Sequence, residues 1–177
     1  TEMTSRARWM VLVASLVMAA AYVLPLWRVD LIAPQYPEGL GMYIKINGVE
    51  GLKPQDLNSI NNLNHYIGMR HIKQEMFPEF GYMGSVLGFL IASGLVPVFG
   101  GKRPLLTAFV VILFIGAGLG LYDFWRWGYD YGHHLDPKAA ISVPGMTYDP
   151  PLIGYKNLLN FVAYSGPDTG GWVLVLS

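Results

Sequence analysis

The sequence predicts an all-α integral membrane protein with three transmembrane helices, and three observations support this fold class. Of the 177 residues, 53% are hydrophobic and only 14% are charged, whereas about a quarter of the residues in soluble domains are charged. The apolar residues are concentrated in long runs rather than spread along the chain. Three of these runs are uncharged over 19 to 22 residues, close to the roughly 20 that a helix needs to cross a hydrocarbon core.

The three uncharged runs are Trp9–Trp27, Phe80–Gly101 and Pro104–Tyr122. The first resembles a signal peptide, since basic residues precede it and small residues follow its centre. It continues to Trp27, beyond the usual length of a cleaved apolar region, so we expect a retained anchor. The runs divide the chain into an N-terminal end with the first helix (1–27), an outer segment (28–79), a helical hairpin (80–122) and a C-terminal outer segment (123–177).

Basic residues predict the orientation of these helices. Arg6 and Arg8 precede the first run, and Lys102 and Arg103 fill the hairpin between the other two. Short basic segments favour the cytoplasmic side of a membrane. We therefore expect a protein of the bacterial inner membrane, with its N-terminus inside and both long segments and the C-terminus in the periplasm.

Composition also limits the partners. Twelve basic and twelve acidic residues leave no net charge, which gives no electrostatic reason to expect nucleic acid, since its binding needs a basic face. Membrane lipids and other membrane-protein subunits are the expected partners.

The tryptophans at the ends of the first and third runs are expected at the headgroup level, where an apolar ring with a polar N–H is favoured. They are Trp9, Trp27, Trp125 and Trp127.

The two outer segments predict a small, mostly irregular domain over the helices. Alternation around Asn47-Gly48 indicates a short β-hairpin. Apolar residues at helical spacing, with Pro54 before them and Gly68 after them, predict an amphipathic helix at 54–67. This helix is expected on the membrane surface or under the C-terminal segment. Residues 170–177 are too short to span, so they are expected in the interface or as the start of a fourth helix.

All four histidines fall in two segments, at 65–71 and 133–134, which the orientation places on the same side of the membrane. His65 and Met69 are helical i, i+4 neighbours, and His71 can fold back beyond Gly68 to join them. Met76 or His133 would then add a further ligand. Imidazole and thioether groups without cysteine are a ligand set suited to copper. Under the alternative interpretation, His65 makes local hydrogen bonds, Met69 packs in a core and His71 is solvated.

Other motifs give little support for catalysis. The chain has no nucleophile-elbow, zinc-protease or P-loop motif and no cysteine, so we expect a protein that is not an enzyme. Asp56 begins an Asx-rich run that lacks the loop pattern of an EF-hand. We expect this run to cover the polar face of the amphipathic helix rather than to bind calcium.

Two stretches carry a resemblance to a known group of proteins. Ala33-Pro34-Gln35-Tyr36-Pro37-Glu38-Gly39-Leu40 and Ile60-Asn61-Asn62-Leu63-Asn64-His65-Tyr66-Ile67-Gly68-Met69 resemble small bacterial multi-pass membrane proteins. Those proteins accompany accessory genes for copper enzymes of the nitrous-oxide-reductase type. The resemblance covers about half of the chain and implies a helper in copper delivery or electron supply that faces the periplasm. It points to His65, Met69 and His71.

Two functions follow from these observations. The first is a non-catalytic accessory protein that handles copper for a periplasmic or membrane redox enzyme, with His65, Met69, His71 and His133 as the metal ligands. The second is a small structural or assembly subunit of a larger respiratory or photosynthetic membrane complex, with no metal of its own.

Overall fold

A computed structural model, which describes residues 2–177, has an α+β fold, so the prediction of an all-α protein is wrong. It has five α-helices and one five-stranded antiparallel sheet. The strands lie in the two segments that were predicted to be mostly irregular. In chain order the elements are α1 (Ser5–Val17), β1 (Trp27–Ala33), β2 (Tyr36–Lys45), β3 (Gly48–Gly51), α2 (Asp56–Ile67), α3 (Met83–Gly100), α4 (Arg103–His133), β4 (Gly154–Leu158), β5 (Phe161–Pro167) and α5 (Thr169–Leu176).

The sheet joins the two outer segments into one unit, which we call the sheet domain. Its strand order is β3-β2-β1-β5-β4, so β1 from the first segment pairs directly with β5 from the second. The β1–β5 register runs from Trp27 opposite Pro167 to Ile32 opposite Val162. The long apolar helices α3 and α4 lie between these strands in sequence. The fold therefore depends on contacts between residues more than 130 positions apart.

Strand β1 was missed because it begins inside the first apolar run. Pro25 lacks the N–H that a continuing helix requires, and the alternation of apolar and charged residues from Trp27 to Leu31 has the period of a strand. Arg28 and Asp30 share one face of β1 and form an ion pair of 2.8 Å. The hydropathy of the run concealed this change of period.

The prediction of three transmembrane helices is also wrong. In the first run, α1 has 13 residues and changes to a 3-10 helix at Met18–Tyr22. Within residues 2–177, two helices are long and apolar enough to cross a membrane, and they are α3 and α4. They form an antiparallel hairpin that turns at Gly101, whose φ of 66° is left-handed.

Helix α4 is much longer than its partner, with 31 residues against 18 in α3. Gly116 lies opposite Leu90. Because the helices are antiparallel, counting seven residues along each from this contact brings Asp123 level with Met83, the first residue of α3. The following ten residues extend about 15 Å further at 1.5 Å per residue. We call Asp123–His133 the overhang of α4. The sequence placed this part of the chain in an irregular segment.

Two other local predictions agree with the structure. The hairpin is formed by β2 and β3, with Lys45 opposite Gly48, so Ile46 and Asn47 make the turn rather than Asn47-Gly48. The amphipathic helix is α2, which ends at Gly68 in the left-handed conformation (φ 82°). It packs under the C-terminal segment, where Ile67 joins a buried cluster with Tyr148, Leu158 and Ala163.

Candidate functional site

The end of α2 and the loop after it bring two of the predicted ligands together. Gly68 reverses the chain, and a Cβ at this position would lie only 2.8 Å from the carbonyl oxygen of Asp136. Glycine is therefore required both for the positive φ and for the close approach of the backbone. The reversal directs Arg70–Ile72 back along α2.

Two asparagines of α2 hold this returning loop in place. The Asn61 side chain accepts a hydrogen bond from the Ile72 N–H at 2.6 Å and donates one to the Ile72 carbonyl at 3.1 Å. The Asn64 amide donates to the Arg70 carbonyl at 3.3 Å, and Asn64 is buried. These bonds fix the backbone on both sides of His71. Side chains of the Asx-rich run thus hold the loop by hydrogen bonds, in addition to covering a polar helix face.

His65 and His71 consequently lie side by side, with ring centroids 6.0 Å apart. Both residues are exposed. With metal–nitrogen bonds of about 2.0 Å, two imidazoles on one metal ion have centroids roughly 5 to 6.5 Å apart. The observed separation is within this range. Among residues 2–177, no group of three or more His, Cys, Asp or Glu could hold a metal ion.

The overhang of α4 supports the loop from the other side. The buried Tyr131 hydroxyl donates to the His71 carbonyl at 3.3 Å and lies 3.5 Å from Sδ of Met76. Because both groups are within reach of one hydroxyl, they are within about 7 Å of each other. The guanidinium of Arg70 lies 4.8 Å above the Tyr131 ring and forms an ion pair with Asp130. The Met76 thioether and the His71 carbonyl are therefore held by the same tyrosine hydroxyl.

Met69 and His133, the other predicted ligands, have different surroundings. Met69 packs against the cluster that contains Ile67 and Tyr148, where burial raises the pKa of the Tyr148 phenol. The ring of His133 stacks on Tyr129 at 3.8 Å, and its Nδ1 lies 3.0 Å from the Tyr129 carbonyl. The structure thus brings His65 and His71 together and places Met69 in a core and His133 on an aromatic ring.

Sequence reasoning missed the residues that position the pair, which are Asn61, Asn64 and Tyr131. A signal for the asparagines was present, because Asx side chains readily bond to nearby backbone groups and a glycine helix end follows them. Tyr131 had no such signal, since its contact with His71 spans 60 positions.

Comparison of the chain with protein-family models, with curated proteins and with solved structures gives no significant match. The features of this chain that bear on function are therefore the sheet domain, the helix pair and the His65–His71 geometry.

Proposed function

We propose that this chain is a non-catalytic membrane accessory protein that holds copper(I) at His65 and His71 for a redox enzyme. The observation that carries the proposal is the 6.0 Å separation of two exposed imidazoles, one on α2 and one on the loop that Asn61 and Asn64 hold in place. Imidazole is a favoured copper ligand, and a soft thioether favours copper(I) over harder ions. Two exposed nitrogen ligands also leave open positions through which an acceptor protein can take the ion.

The proposed location is a bacterial inner membrane, with α3 and α4 in the lipid and the sheet domain on the periplasmic side. The charge distribution supports this orientation. The N–H of Met3 donates to the Gly101 carbonyl at 2.7 Å, so the N-terminal basic residues lie at the same end of the helices as Lys102. Basic residues at one end favour the cytoplasm there, and the His65–His71 pair lies at the other end.

The test is a copper(I) competition titration on the full chain in detergent, with a chelator of known affinity. We expect one ion per chain and at least a tenfold loss of affinity in His65→Ala/His71→Ala, because both nitrogen ligands are removed. The matched control is His133→Ala/His134→Ala, which removes two exposed imidazoles outside the pair and is expected to keep the affinity. Circular dichroism of each variant verifies the fold.

Equal affinity in wild type and in His65→Ala/His71→Ala would contradict the proposal. Copper X-ray absorption of wild type and of Met76→Leu tests whether the Met76 sulfur also binds the ion. Loss of a copper–sulfur distance in Met76→Leu would identify the thioether as a third ligand, whereas an unchanged spectrum would restrict the site to the two imidazoles.

A second function, a structural subunit of a larger bioenergetic membrane complex, is favoured by the surface of α4. Only 6% of the most apolar 18 residues of α4 are buried. A Cβ at Gly118 or Gly120 would meet no atom within 4 Å. Small residues on an uncovered helix allow close approach of another helix. Stable co-purification of a stoichiometric membrane partner with a metal-free chain would favour this function over copper handling.

A further inference from the structure

We propose that four aromatic side chains, at the sheet-proximal ends of α3 and α5 and where the overhang of α4 begins, lie in the lipid headgroup layer and set the depth of the sheet domain. We call Tyr82, Tyr122, Trp125 and Trp172 the aromatic girdle; each is at least 50% exposed. The inference rests on the proposed placement of α3 and α4 in lipid and is independent of copper binding. Tyrosine and tryptophan are favoured at this level because an apolar ring and a polar donor are both accommodated there.

The helix pair places the first three girdle residues at one height. Since Gly116 faces Leu90 in the antiparallel pair, counting six residues along each helix brings Tyr122 level with Gly84. Tyr82 directly precedes α3, and Trp125 is less than one turn beyond Tyr122. These residues therefore lie within about 5 Å of one another along the helix direction.

Helix α5 reaches the same height through the 3-10 segment Met18–Tyr22. The Tyr22 hydroxyl donates to the Gly84 carbonyl at 2.6 Å, which ties that segment to the start of α3. The N–H of Gly170 donates to the Pro25 carbonyl at 2.8 Å, and Leu174 packs against the cluster of Met18, Ala21 and Leu87. Trp172 lies between these two contacts.

Surface chemistry changes at the girdle. On the sheet side, Arg126 forms ion pairs with Asp123 at 2.7 Å and Glu79 at 3.2 Å. On the other side, the exposed large side chains of α3 and α4 are apolar; they include Phe89, Val96, Phe99, Val111, Phe114 and Leu119. This change from ion pairs to bare apolar surface is expected where headgroups meet acyl chains.

The length of the apolar zone matches a bilayer. From Tyr82 to Gly101 the helix rises about 28 Å at 1.5 Å per residue, and a hydrocarbon core is about 30 Å thick. Lys102 and Arg103 then end the zone. The occupant of this surface is therefore a lipid bilayer, and the exposed Val175 and Leu176 of α5 extend from the girdle into its outer part.

Two other tryptophans, Trp27 and Trp127, differ from the girdle residues because they pack on protein side chains. Trp27 donates to the Ser165 hydroxyl at 2.7 Å and packs on Phe124. Trp127, only two residues from Trp125, packs on Phe77 at 4.5 Å. Both indoles therefore belong to the sheet domain and its contact with the overhang, although the sequence placed them at the headgroup level.

The test is fluorescence quenching of the full chain reconstituted in vesicles whose lipids carry bromine either near the headgroup or near the chain end. We expect Trp125→Phe and Trp172→Phe each to remove a large share of the quenching by headgroup-near bromine. Trp127→Phe is the matched control and is expected to leave that quenching within about 10% of wild type, because a ring packed on protein is shielded from lipid. Equal effects of Trp125→Phe and Trp127→Phe would overturn the inference.

A second measurement avoids the tryptophans. The chain has no cysteine, so Tyr122→Cys and Ile115→Cys each accept a single spin label at an exposed position. We expect a water-soluble nickel reagent to relax the label at 122 several-fold more than the label at 115, which lies about 10 Å deeper. Similar relaxation at both positions would contradict the assigned depth.

Discussion

At the scale of single residues, Gly132 shows how closely the overhang of α4 meets the C-terminal segment. Its carbonyl accepts the Tyr148 N–H at 3.0 Å, and a Cβ would overlap the backbone nitrogen of Asp149. Backbone cannot move away as a flexible side chain can. The overhang therefore requires a residue without a side chain here.

We expect Gly132→Ala to destabilise the protein by about 1 to 3 kcal/mol, the range for overpacking a tight contact. Gly128→Ala is the control, because a Cβ there would make an ordinary 3.5 Å contact with Pro150. In the same helix, that change is expected to be neutral or to stabilise by up to about 1 kcal/mol through helix propensity. Thermal melts of both variants in detergent measure the difference. Equal melting temperatures would contradict the packing at Gly132.

The histidine pair was only partly predictable at this scale. The types and spacing of His65 and His71, with Gly68 between them, indicated that the chain would turn back. Whether Met69 faced the pair depended on the cluster around Tyr148, Leu158 and Ala163, which lie about 80 to 95 positions further along the chain. Sequence spacing along one helix holds no information on such a contact, so Met69 was grouped with the ligands although it packs in a core.

At the scale of elements, the overhang and β4 are joined through Asp149, in the segment that connects them. Lys156 in β4 donates to the Asp149 carboxylate at 2.8 Å and to its carbonyl at 3.1 Å. Burial acts to raise the pKa of this carboxyl, but hydrogen bonds from Lys156 and Thr147 outweigh it and hold the pKa below its ordinary 3.8. The charged form is therefore the one that the fold stabilises.

This ion pair predicts a pH-dependent stability. Because the folded-state pKa is lowered, the contribution is complete above about pH 4 and is lost as the pH falls through the lowered pKa. We expect Asp149→Asn to lower the melting temperature by about 1 to 3 °C at pH 7, since a partly exposed pair contributes only about 0.2 to 1 kcal/mol. The difference from wild type is expected to shrink below about pH 4. Glu38→Gln, at an exposed strand position, is the control, and a difference that grows on acidification would contradict the assignment.

The elements themselves differed in how far the sequence revealed them. Helix α2 was predictable because its apolar spacing and its terminal glycine are local signals. Strand β5 was not, because it is recognised only when β1 lies beside it, and the local alternation of β1 was concealed by the hydropathy of the first run. Strand β1 also shares its first residue, Trp27, with an apolar run that has the length of a membrane helix.

At the scale of the whole molecule, the pairing of β1 with β5 makes one domain from two distant segments. We expect Ile32→Cys/Val162→Cys to form a disulfide under mild oxidation, because these residues face each other in the register and paired Cα atoms lie about 4.5 to 5.5 Å apart. The absence of native cysteine makes the product unambiguous. It is detected as a faster-migrating band on a non-reducing gel.

The control for this cross-link is Ile32→Cys/Asn157→Cys. Asn157 is opposite Val162 on β4, hence at the same level of the sheet but two strands from Ile32. A separation of about 10 Å is too large for a disulfide. Cross-linking of the control pair, or none in Ile32→Cys/Val162→Cys, would contradict the strand order.

The continuous length of α4 has a mechanical consequence. One unbroken helix of 31 residues runs from the basic hairpin, past the aromatic girdle, to Tyr131 and the backbone of His71. A helix responds to a thinner or thicker bilayer by changing its tilt, and a rigid rod transmits tilt at one end to its other end. With α3 and α4 in lipid as proposed, a change of tilt at the girdle therefore moves Tyr131 and, through its hydrogen bond, the backbone of His71.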